Sequence, residues 1–352
     1  MAMLLRHRLV AAARLAVAQG LYYSGIFWLW RWMGLRRRAV VLTYHRVLPD
    51  DAAARTWSHP GIVVTRATFD CHLRTLKRFF RVLSLEEFVA DLERPNGFAM
   101  PSCLITFDDG WRDTFTDAWP VLRKHQAPAV VFLPVDYIGA DRMFWQEDLS
   151  ALLYEAWLHR SDAALRAACE RACAAQGFPS IMATAAADIR LEVRTRVNAL
   201  KSGPIAVPHA LINDLRAALG PAANGAVPVD AFMTWDEVRQ MHAGGTAFGG
   251  HGTTHRLLTT LTASEVAEEA TRSREAIGRA LGEAPASFSY PNGDWNAGVA
   301  DAVERAGYRV SFTTARGIVS GGDARFSLRR VNMHEDVTHQ PSLFLARLLG
   351  FL

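Results

Sequence analysis

The chain is poor in the features that mark several broad classes of protein. Only four of its 352 residues are cysteines, and none of them forms the CxxC pair that is typical of structural zinc sites. It has no stripe of basic residues interleaved with aromatics, and its formal net charge is only +4, so we expect no nucleic-acid partner. Internal repeats and low-complexity linkers are also absent. An apolar fraction of 50% and a charged fraction of 21% are typical of a globular enzyme.

The first 38 residues lack an uncharged run that is long enough to cross a bilayer without strain. The sixteen residues between Arg14 and Arg31 are uncharged. As a helix they would rise about 24 Å, against roughly 30 Å of hydrocarbon. Arg14 also interrupts the only candidate core of a secretory signal. Aromatic residues flanked by arginines are typical of a helix at the level of the lipid headgroups. We therefore predict an N-terminal apolar helix within 1–38 that either binds a membrane surface or packs on the domain that follows.

From residue 39 onward, apolar runs alternate with segments of helical periodicity. Ser84, Thr234 and Thr262 each precede a glutamate by three residues, which predicts three capped helices. An alanine-rich segment at about 136–230 has helical spacing and no strand-like run, so it predicts a helical insertion. Alternating strands and helices predict a parallel sheet that is closed, or nearly closed, as a barrel. The predicted strands are 39–44, 102–107, 129–133, 246–248, 288–290, 308–313 and 328–332.

Two short motifs at predicted strand ends carry the chemistry. Asp108 and Asp109 follow the run 102–107, and Gly110 indicates a turn that would let both carboxylates face one cavity. His251 and His255 are four residues apart, which places both imidazoles on one face if the segment is helical. Taken singly, these motifs could equally be a surface turn and a pair of surface histidines. Together, one carboxylate and two imidazoles form a facial set of metal ligands beside a spare base, which predicts metal-assisted hydrolysis.

The motifs TFDDG at 106–110, HGTTH at 251–255 and YPNG at 290–293 together resemble the polysaccharide deacetylases. This family is carbohydrate esterase family 4, also called the NodB-homology domain. The segment MTWDEV at 233–238 is similar to the family's approach to its histidine motif. LTYHRV at 42–47 resembles the exopolysaccharide-modifying branch, in which the barrel is circularly permuted and a histidine motif moves to the front. The resemblance covers roughly 39–332 without the insertion. It implies a distorted (β/α)7-type barrel within 39–352.

The resemblance also implies the role of each site residue. Asp109, His251 and His255 would bind one divalent metal ion; zinc is favoured, and cobalt or nickel would also suit these ligands. Asp108 would take the proton of the attacking water, while His45, or as second choice His334, would donate a proton to the departing amine. Either histidine could instead be a core residue. A backbone N–H near Asn292 would help to hold the oxyanion. The residues expected to bind the substrate are Tyr290, Pro291, Asn292 and Trp295.

One position departs from the family's pattern. Ser289 stands where the family usually has the arginine that orients the base, so Arg112, Arg329 or Arg330 would have to replace it. We predict a hydrolase that removes N-acetyl groups from amino sugars of a bacterial surface polysaccharide or lipid-linked glycan. We expect it at the inner membrane, on a side that the sequence does not specify. The alternatives are hydrolysis of another small amide, such as a formyl group, and a carbohydrate-binding module that has lost its rate.

Overall fold

The computed structural model describes residues 2–185, 187, 189–225 and 231–351. Their contacts divide the chain into two compact units. The second unit overlaps the insertion that the sequence predicts at about 136–230, of which 186, 188 and 226–230 lie outside the described residues. The first unit consists of Met1–Ala54, Pro60–Ala140 and Phe232–Leu352, and the second of Arg55–His59 and Asp141–Ala231.

All strands belong to the first unit, among the residues that the structure describes. They are β1 (Arg38–Tyr44), β2 (Arg46–Leu48), β3 (Val63–Thr65), β4 (Arg81–Val82), β5 (Ser102–Phe107), β6 (Val130–Leu133), β7 (Ala247–Gly250), β8 (Ser287–Ser289), β9 (Val310–Arg316), β10 (Val319–Ser320) and β11 (Leu328–Asn332).

The helices of the first unit lie at both ends of the chain and between the strands. They are α1 (Ala2–Tyr23), α2 (Ile26–Gly34), α3 (Asp50–Arg55), α4 (Arg66–Phe79), α5 (Leu85–Glu93), α6 (Trp119–His125), α11 (Trp235–Ala243), α12 (Ala263–Leu281), α13 (Ala297–Arg305), α14 (Glu335–Thr338) and α15 (Pro341–Leu348). The second unit contains α7 (Trp145–Leu158), α8 (Ala163–Ala175), α9 (Ile189–Ala199) and α10 (Ala206–Leu219).

Seven strands close into a parallel barrel in the order β1-β5-β6-β7-β8-β9-β11, and β11 pairs back to β1. The closed parallel barrel that the sequence predicts is therefore confirmed, and each predicted run overlaps one barrel strand. β4 and β10 extend the sheet beside β5 and β1, while β2 and β3 form a separate parallel pair. Closure leaves the barrel strands without an unpaired edge, as in other (β/α) barrels.

Strand residues alternate between the barrel interior and the surrounding helices. On β5, Leu104 belongs to the interior cluster with Phe132 and Phe312, whereas Ile105 packs under the helices. This period of two fixes which strand residues enter the lumen. It therefore also decides which side chains can reach the site at the end of each strand.

Three predicted helix starts are confirmed. Ser84, Thr234 and Thr262 each accept a hydrogen bond from the backbone N–H of a glutamate three residues later, and each glutamate bonds back. These capping boxes satisfy N–H groups that a helix start leaves without partners. They fix the starts of α5, α11 and α12 around the barrel.

The N-terminal segment forms two helices where the sequence predicted one. Gly25, with φ 77°, separates α1 from α2. The inner face of α2 buries Phe27 and Arg31, and Phe27 packs on Phe351 beyond α15. Among the described residues, no helix combines the length and the hydrophobicity that crossing a membrane requires.

The second unit has a hydrophobic core of its own. Leu149 and Leu152 of α7 are fully buried, and so are Leu211 and Leu215 of α10. All four belong to one cluster that contains only residues of this unit. The second unit is therefore stabilised by its own helix packing.

Candidate active site

The predicted site residues lie at the carboxyl ends of the barrel strands. His45 follows β1, Asp108 follows β5, and His251 follows β7. Ser289 ends β8, and His334 stands two residues after β11. Parallel strands of one barrel end at the same rim, which is where the (β/α) barrels carry their chemistry.

Asp108 and Asp109 make different contacts because the chain turns at Asp109. Asp108 keeps the strand alternation of Leu104, so its side chain points into the barrel. Asp109 has φ 75° and Gly110 has φ 67°, both in the left-handed region. A Cβ at position 110 would lie 2.8 Å from Ile138 Cδ1, so only glycine fits there without a shift. The turn predicted at Gly110 therefore begins one residue earlier, at Asp109.

Asp109, His251 and His255 converge on one point. Asp109 Oδ1 lies 3.4 Å from His251 Nε2 and 3.2 Å from His255 Nε2. One ligand atom from each residue lies within 4.8 Å of the others, so the three could hold a metal ion. A carboxylate oxygen with two imidazole nitrogens suits zinc and other borderline divalent ions.

Two further contacts orient these donors. Trp111 Nε1 donates to Asp109 Oδ2 at 3.0 Å, which leaves Oδ1 as the oxygen that faces the histidines. His251 Nδ1 donates to the carbonyl oxygen of Ser289 at 2.7 Å, which leaves Nε2 as the ligand atom. Such contacts to the far side of a metal ligand fix its tautomer and its orientation.

The segment from His251 to His255 is an irregular loop, so the helical geometry considered for it is wrong. Glu269 of α12 organises the loop instead. Its Oε2 accepts hydrogen bonds from Thr253 N at 2.5 Å and Thr254 N at 3.1 Å, and its Oε1 accepts from the Thr254 hydroxyl. His255 has φ 57°, a strained conformation for a non-glycine residue. The buried carboxylate thus holds a turn that brings the second imidazole back to Asp109.

The three donors also interact electrostatically. Burial alone would raise the pKa of Asp109, but hydrogen bonds with His251 and His255 hold it well below its usual range. Burial alone would lower the pKa of His251, but the hydrogen bond with Asp109 and the charge of Asp108 raise it above its ordinary value. The carboxylate is therefore ionised, and a cation at this place would find a complementary charge.

Arg330 takes the place of the arginine that the family usually has where this chain has Ser289. Its two terminal nitrogens bond the two oxygens of Asp108 at 2.8 and 2.7 Å, and one of them also donates to Ser289 Oγ at 2.8 Å. Thr313 O accepts from Arg330 Nε at 2.9 Å. The guanidinium is 1% exposed. Of the three candidates from the sequence, Arg330 is thus the one that orients Asp108.

The charge of Arg330 keeps Asp108 ionised. Burial alone would raise the pKa of Asp108, but the nearby guanidinium and the imidazole of His251 lower it below its usual range. Because each carboxylate oxygen has two lone pairs, the bidentate contact with Arg330 leaves acceptor capacity for another donor. Asp108 is therefore a fixed, ionised acceptor at the carboxyl end of the barrel.

His45 belongs to the same charged cluster. Burial lowers the pKa of its imidazole, whereas the charges of Asp109 and Asp108 oppose that shift. Its Nδ1 is buried and forms no hydrogen bond with any residue that the structure describes. His334 follows β11 and caps α14 through backbone geometry, with its carbonyl accepting from the Thr338 hydroxyl. The structure therefore brings His45, the first choice for the proton donor, to Asp108 and Asp109.

The YPNG segment contributes in a different way from the one expected. The Tyr290 side chain is fully buried, with its hydroxyl donating to Phe326 O at 2.9 Å, so the expectation that this side chain binds substrate is wrong. Pro291 is buried beside the loop that carries the two histidines, since a Cβ placed on Gly252 of that loop would lie 3.9 Å from Pro291 Cγ. Asn292, with φ 58°, and Trp295 are exposed. Those two remain candidates for substrate contact.

Sequence reasoning missed Trp111 and Glu269. Trp111 directly follows the TFDDG motif, and its position beside the motif was the only available signal. Its indole lies between the Phe232 ring, at 4.7 Å, and the Arg46 guanidinium, at 4.4 Å. Glu269 lies 14 residues beyond His255 in a helix with many charges, so nothing in the sequence distinguishes it from its neighbours.

Fold and site together define a closed seven-stranded (β/α) barrel with an Asp–His–His donor set at the strand ends. The polysaccharide deacetylase family model matches residues 97–170 and 212–311 of the chain. The poly-beta-1,6-N-acetyl-D-glucosamine N-deacetylase of Staphylococcus epidermidis is 30% identical over 113 residues, which are 30% of this chain and 39% of that protein. The present chain belongs to the polysaccharide deacetylase family, whose members act on amide C–N bonds.

Solved structures share the fold over most of the chain. The Streptococcus pyogenes deacetylase PplD, solved in complex with acetate, has a TM-score of 0.56 at 17% identity and covers 88% of this chain and 98% of that one. IcaB from Ammonifex degensii has a TM-score of 0.55 at 19% identity, with 88% and 97% covered. The chain spans less than two fifths of the length of the curated relatives that it matches.

Proposed function

We propose that this chain is a metal-dependent N-deacetylase of amino sugars in a bacterial surface polysaccharide. The observation that carries the proposal is the convergence of Asp109, His251 and His255, close to an ionised Asp108 held by Arg330. The similarity to a poly-beta-1,6-N-acetyl-D-glucosamine N-deacetylase supports a polymer of N-acetylated hexosamine as the substrate class.

Asp109, His251 and His255 would hold one divalent ion, with zinc favoured by the mixed nitrogen and oxygen donors. When bound, such an ion supplies Lewis-acid polarisation of the amide carbonyl and lowers the pKa of a bound water. Trp111 and the carbonyl of Ser289 orient two of the donors. These contacts leave the donor atoms little freedom to turn away, which favours a preformed site.

Asp108 and His45 divide the proton transfers of the hydrolysis. The oxygen of water bonds to the acetyl carbon while its proton goes to Asp108, whose orientation Arg330 fixes. The carbon–nitrogen bond then breaks, and the amine nitrogen takes a proton from His45. The products are acetate and the free amine of the sugar. His45 is preferred over His334 because the charges of Asp109 and Asp108 act on its imidazole.

The sugar ring would contact Trp295 beside the YPNG turn. Its side chain is 42% exposed, and its ring stacks on buried Tyr290 at a centroid distance of 6.3 Å. An exposed indole with a rigid support is suited to packing on the apolar face of a pyranose ring. Trp295→Ala would then raise KM for the polymer without loss of the metal.

Metal content is the first test of this function. The purified chain should hold about one zinc, cobalt or nickel ion, and Asp109→Ala and His251→Ala should lose it. Asp108→Asn should keep the metal but release acetate from poly-N-acetylglucosamine at a rate lower by on the order of 100-fold or more. A wild-type chain that binds no metal after reconstitution would overturn the mechanism. Turnover by Asp108→Asn at the wild-type rate would show that Asp108 is not the base.

A further inference from the structure

The outer face of α2 is apolar although it is exposed to solvent. Ile26, Leu29 and Met33 recur at helical spacing and are 41%, 62% and 74% exposed. Trp28 and Trp32, one turn apart beside them, are 38% and 59% exposed. We call these five residues the α2 face. Adjacent large apolar side chains on a surface usually mark a site of interaction.

The α2 face is held rigidly by the first unit. On the opposite side of the helix, Phe27 and Arg31 are buried. Trp28 packs on Phe79, the last residue of α4, at a centroid distance of 4.6 Å. The Arg31 guanidinium lies 5.3 Å from the Trp28 ring and 5.7 Å from the Trp32 ring. The apolar side chains therefore cannot turn inward without breaking these contacts.

The charged side chains of the segment that carries the α2 face are all positive. The first 38 residues contain seven arginines and no acidic residue, and the first carboxylate along the chain is Asp50. Arg36, Arg37 and Arg38, directly after α2, are exposed. Arg78 of α4 is also exposed, and its guanidinium lies 5.9 Å from the Trp28 ring.

We propose that the α2 face docks the enzyme on the surface of an anionic phospholipid membrane. The tryptophans would lie at headgroup depth, the aliphatic side chains would enter the acyl boundary, and the arginines would bind lipid phosphates. A second copy of the chain fits the same face poorly, because it would bring two segments with seven positive charges each into contact. The inference concerns a surface that contains none of the candidate site residues, and it does not depend on the proposed reaction.

Flotation of the full chain with vesicles tests the docking surface. Wild-type protein should float with vesicles of phosphatidylcholine mixed with phosphatidylglycerol and float much less with phosphatidylcholine alone. The triple variant Ile26→Ser, Leu29→Ser, Met33→Ser should stay in the soluble fraction. Arg36→Gln with Arg37→Gln should weaken partitioning by on the order of 30-fold, at about a few-fold for each arginine.

A matched control removes the same kind of surface elsewhere. Leu158, Leu191 and Ile205 of the second unit are 45%, 55% and 46% exposed, and their triple serine variant should float as the wild type does. Circular dichroism melting should be unchanged in all variants, because only exposed side chains are replaced. Failure of the wild type to float with anionic vesicles would overturn the proposal, and so would flotation of the α2 variant. A concentration-dependent dimer that the α2 variant abolishes, without vesicle binding, would also overturn it.

Discussion

At the scale of single residues, the pairing of Asp108 with Arg330 is the contact on which the reaction depends most. The two residues are 222 positions apart, and closure of the barrel brings their strands' interior side chains together. Arg330 also donates to Thr106 of β5 and Ser289 of β8, so residues of two other strands help to hold the guanidinium beside the base. Without it, the buried carboxylate would keep no charged partner among these contacts.

Replacement of Arg330 by alanine should therefore reduce kcat by about 100-fold or more, because a misplaced base costs about that much. Metal content should be retained, since Arg330 bonds none of the three donors. Loss of a buried partner should also lower stability by about 3–5 kcal/mol. Acetate release and metal analysis on the same preparation measure the first two effects. Arg329→Ala, at the exposed neighbouring position, is the matched control.

A relocated arginine tests whether orientation of the base is the role of Arg330. In the family's usual pattern, the arginine stands at the position of Ser289. The double variant Ser289→Arg, Arg330→Ser should recover part of the activity that Arg330→Ser alone loses, because Ser289 Oγ already lies 3.3 Å from Asp108 Oδ2. Equal kcat in the single variant and the wild type would contradict the role.

Glu269 is the residue that shapes the histidine loop. Glu269→Gln keeps the size of the side chain but replaces an ionised acceptor of two backbone N–H groups with an amide. Because the loop positions His255, metal affinity should fall by about 10–100-fold, as is typical when a contact that orients a ligand is lost. Competition with a chelator of known affinity measures the change.

The adjacent Glu268 provides the control for this prediction. It is exposed and pairs with Arg272 on the surface of α12. Glu268→Gln should therefore leave the metal affinity unchanged. Identical affinity in both variants would show that the loop holds its shape without the buried carboxylate.

At the scale of elements, β7 depends on a glycine that brings two neighbouring strands close. A Cβ on Gly249 would lie 2.5 Å from the Phe132 ring and 2.7 Å from the backbone oxygen of Ser287. Gly249→Ala should therefore lower the free energy of unfolding by about 1–3 kcal/mol through overpacking. The midpoint of urea unfolding measures this change.

Gly20 of α1 offers the opposite case within a helix. No atom lies within 4 Å of the Cβ that an alanine would add there. Gly20→Ala should raise stability by about 0.5–1 kcal/mol, because glycine loses more backbone freedom than alanine in a helix. A rise in the free energy of unfolding for Gly249→Ala as well would contradict the steric argument for Gly249.

The elements that the sequence predicts well are those with local signals. Buried parallel strands need continuous apolar runs, so the run 102–107 coincides with β5. The capping boxes fix helix starts for the same local reason. The loop between His251 and His255 could not be predicted, because Glu269 shapes it from another element. The choice of Arg330 among three arginines likewise depends on barrel closure.

At the scale of the whole molecule, α2 and the active site adjoin opposite ends of the barrel strands. Three residues separate α2 from the first residue of β1, whereas the catalytic residues follow the carboxyl ends of the strands. A membrane bound by the α2 face would therefore lie at the amino ends of the strands, with the site directed away from it. This arrangement favours a polymer in the aqueous phase over a sugar that is still linked to lipid.

The two units have separate hydrophobic cores, so damage to one core should be distinguishable from damage to the other. Leu215 of α10 and Leu104 of β5 are both fully buried, the first in the second unit and the second inside the barrel. Leu215→Ala and Leu104→Ala should each cost about 2–5 kcal/mol in the unit concerned.

Leu215→Ala should leave metal affinity unchanged, because the three donors belong to the first unit. Leu104→Ala should weaken metal affinity, because Leu104 lies in the strand that leads to Asp109. Metal binding is also linked to the stability of the barrel. Unfolding measured with and without added zinc identifies the transition that belongs to the barrel. Zinc should raise the melting temperature of this transition in both variants. Equal loss of metal affinity in both would show that the second unit helps to maintain the site.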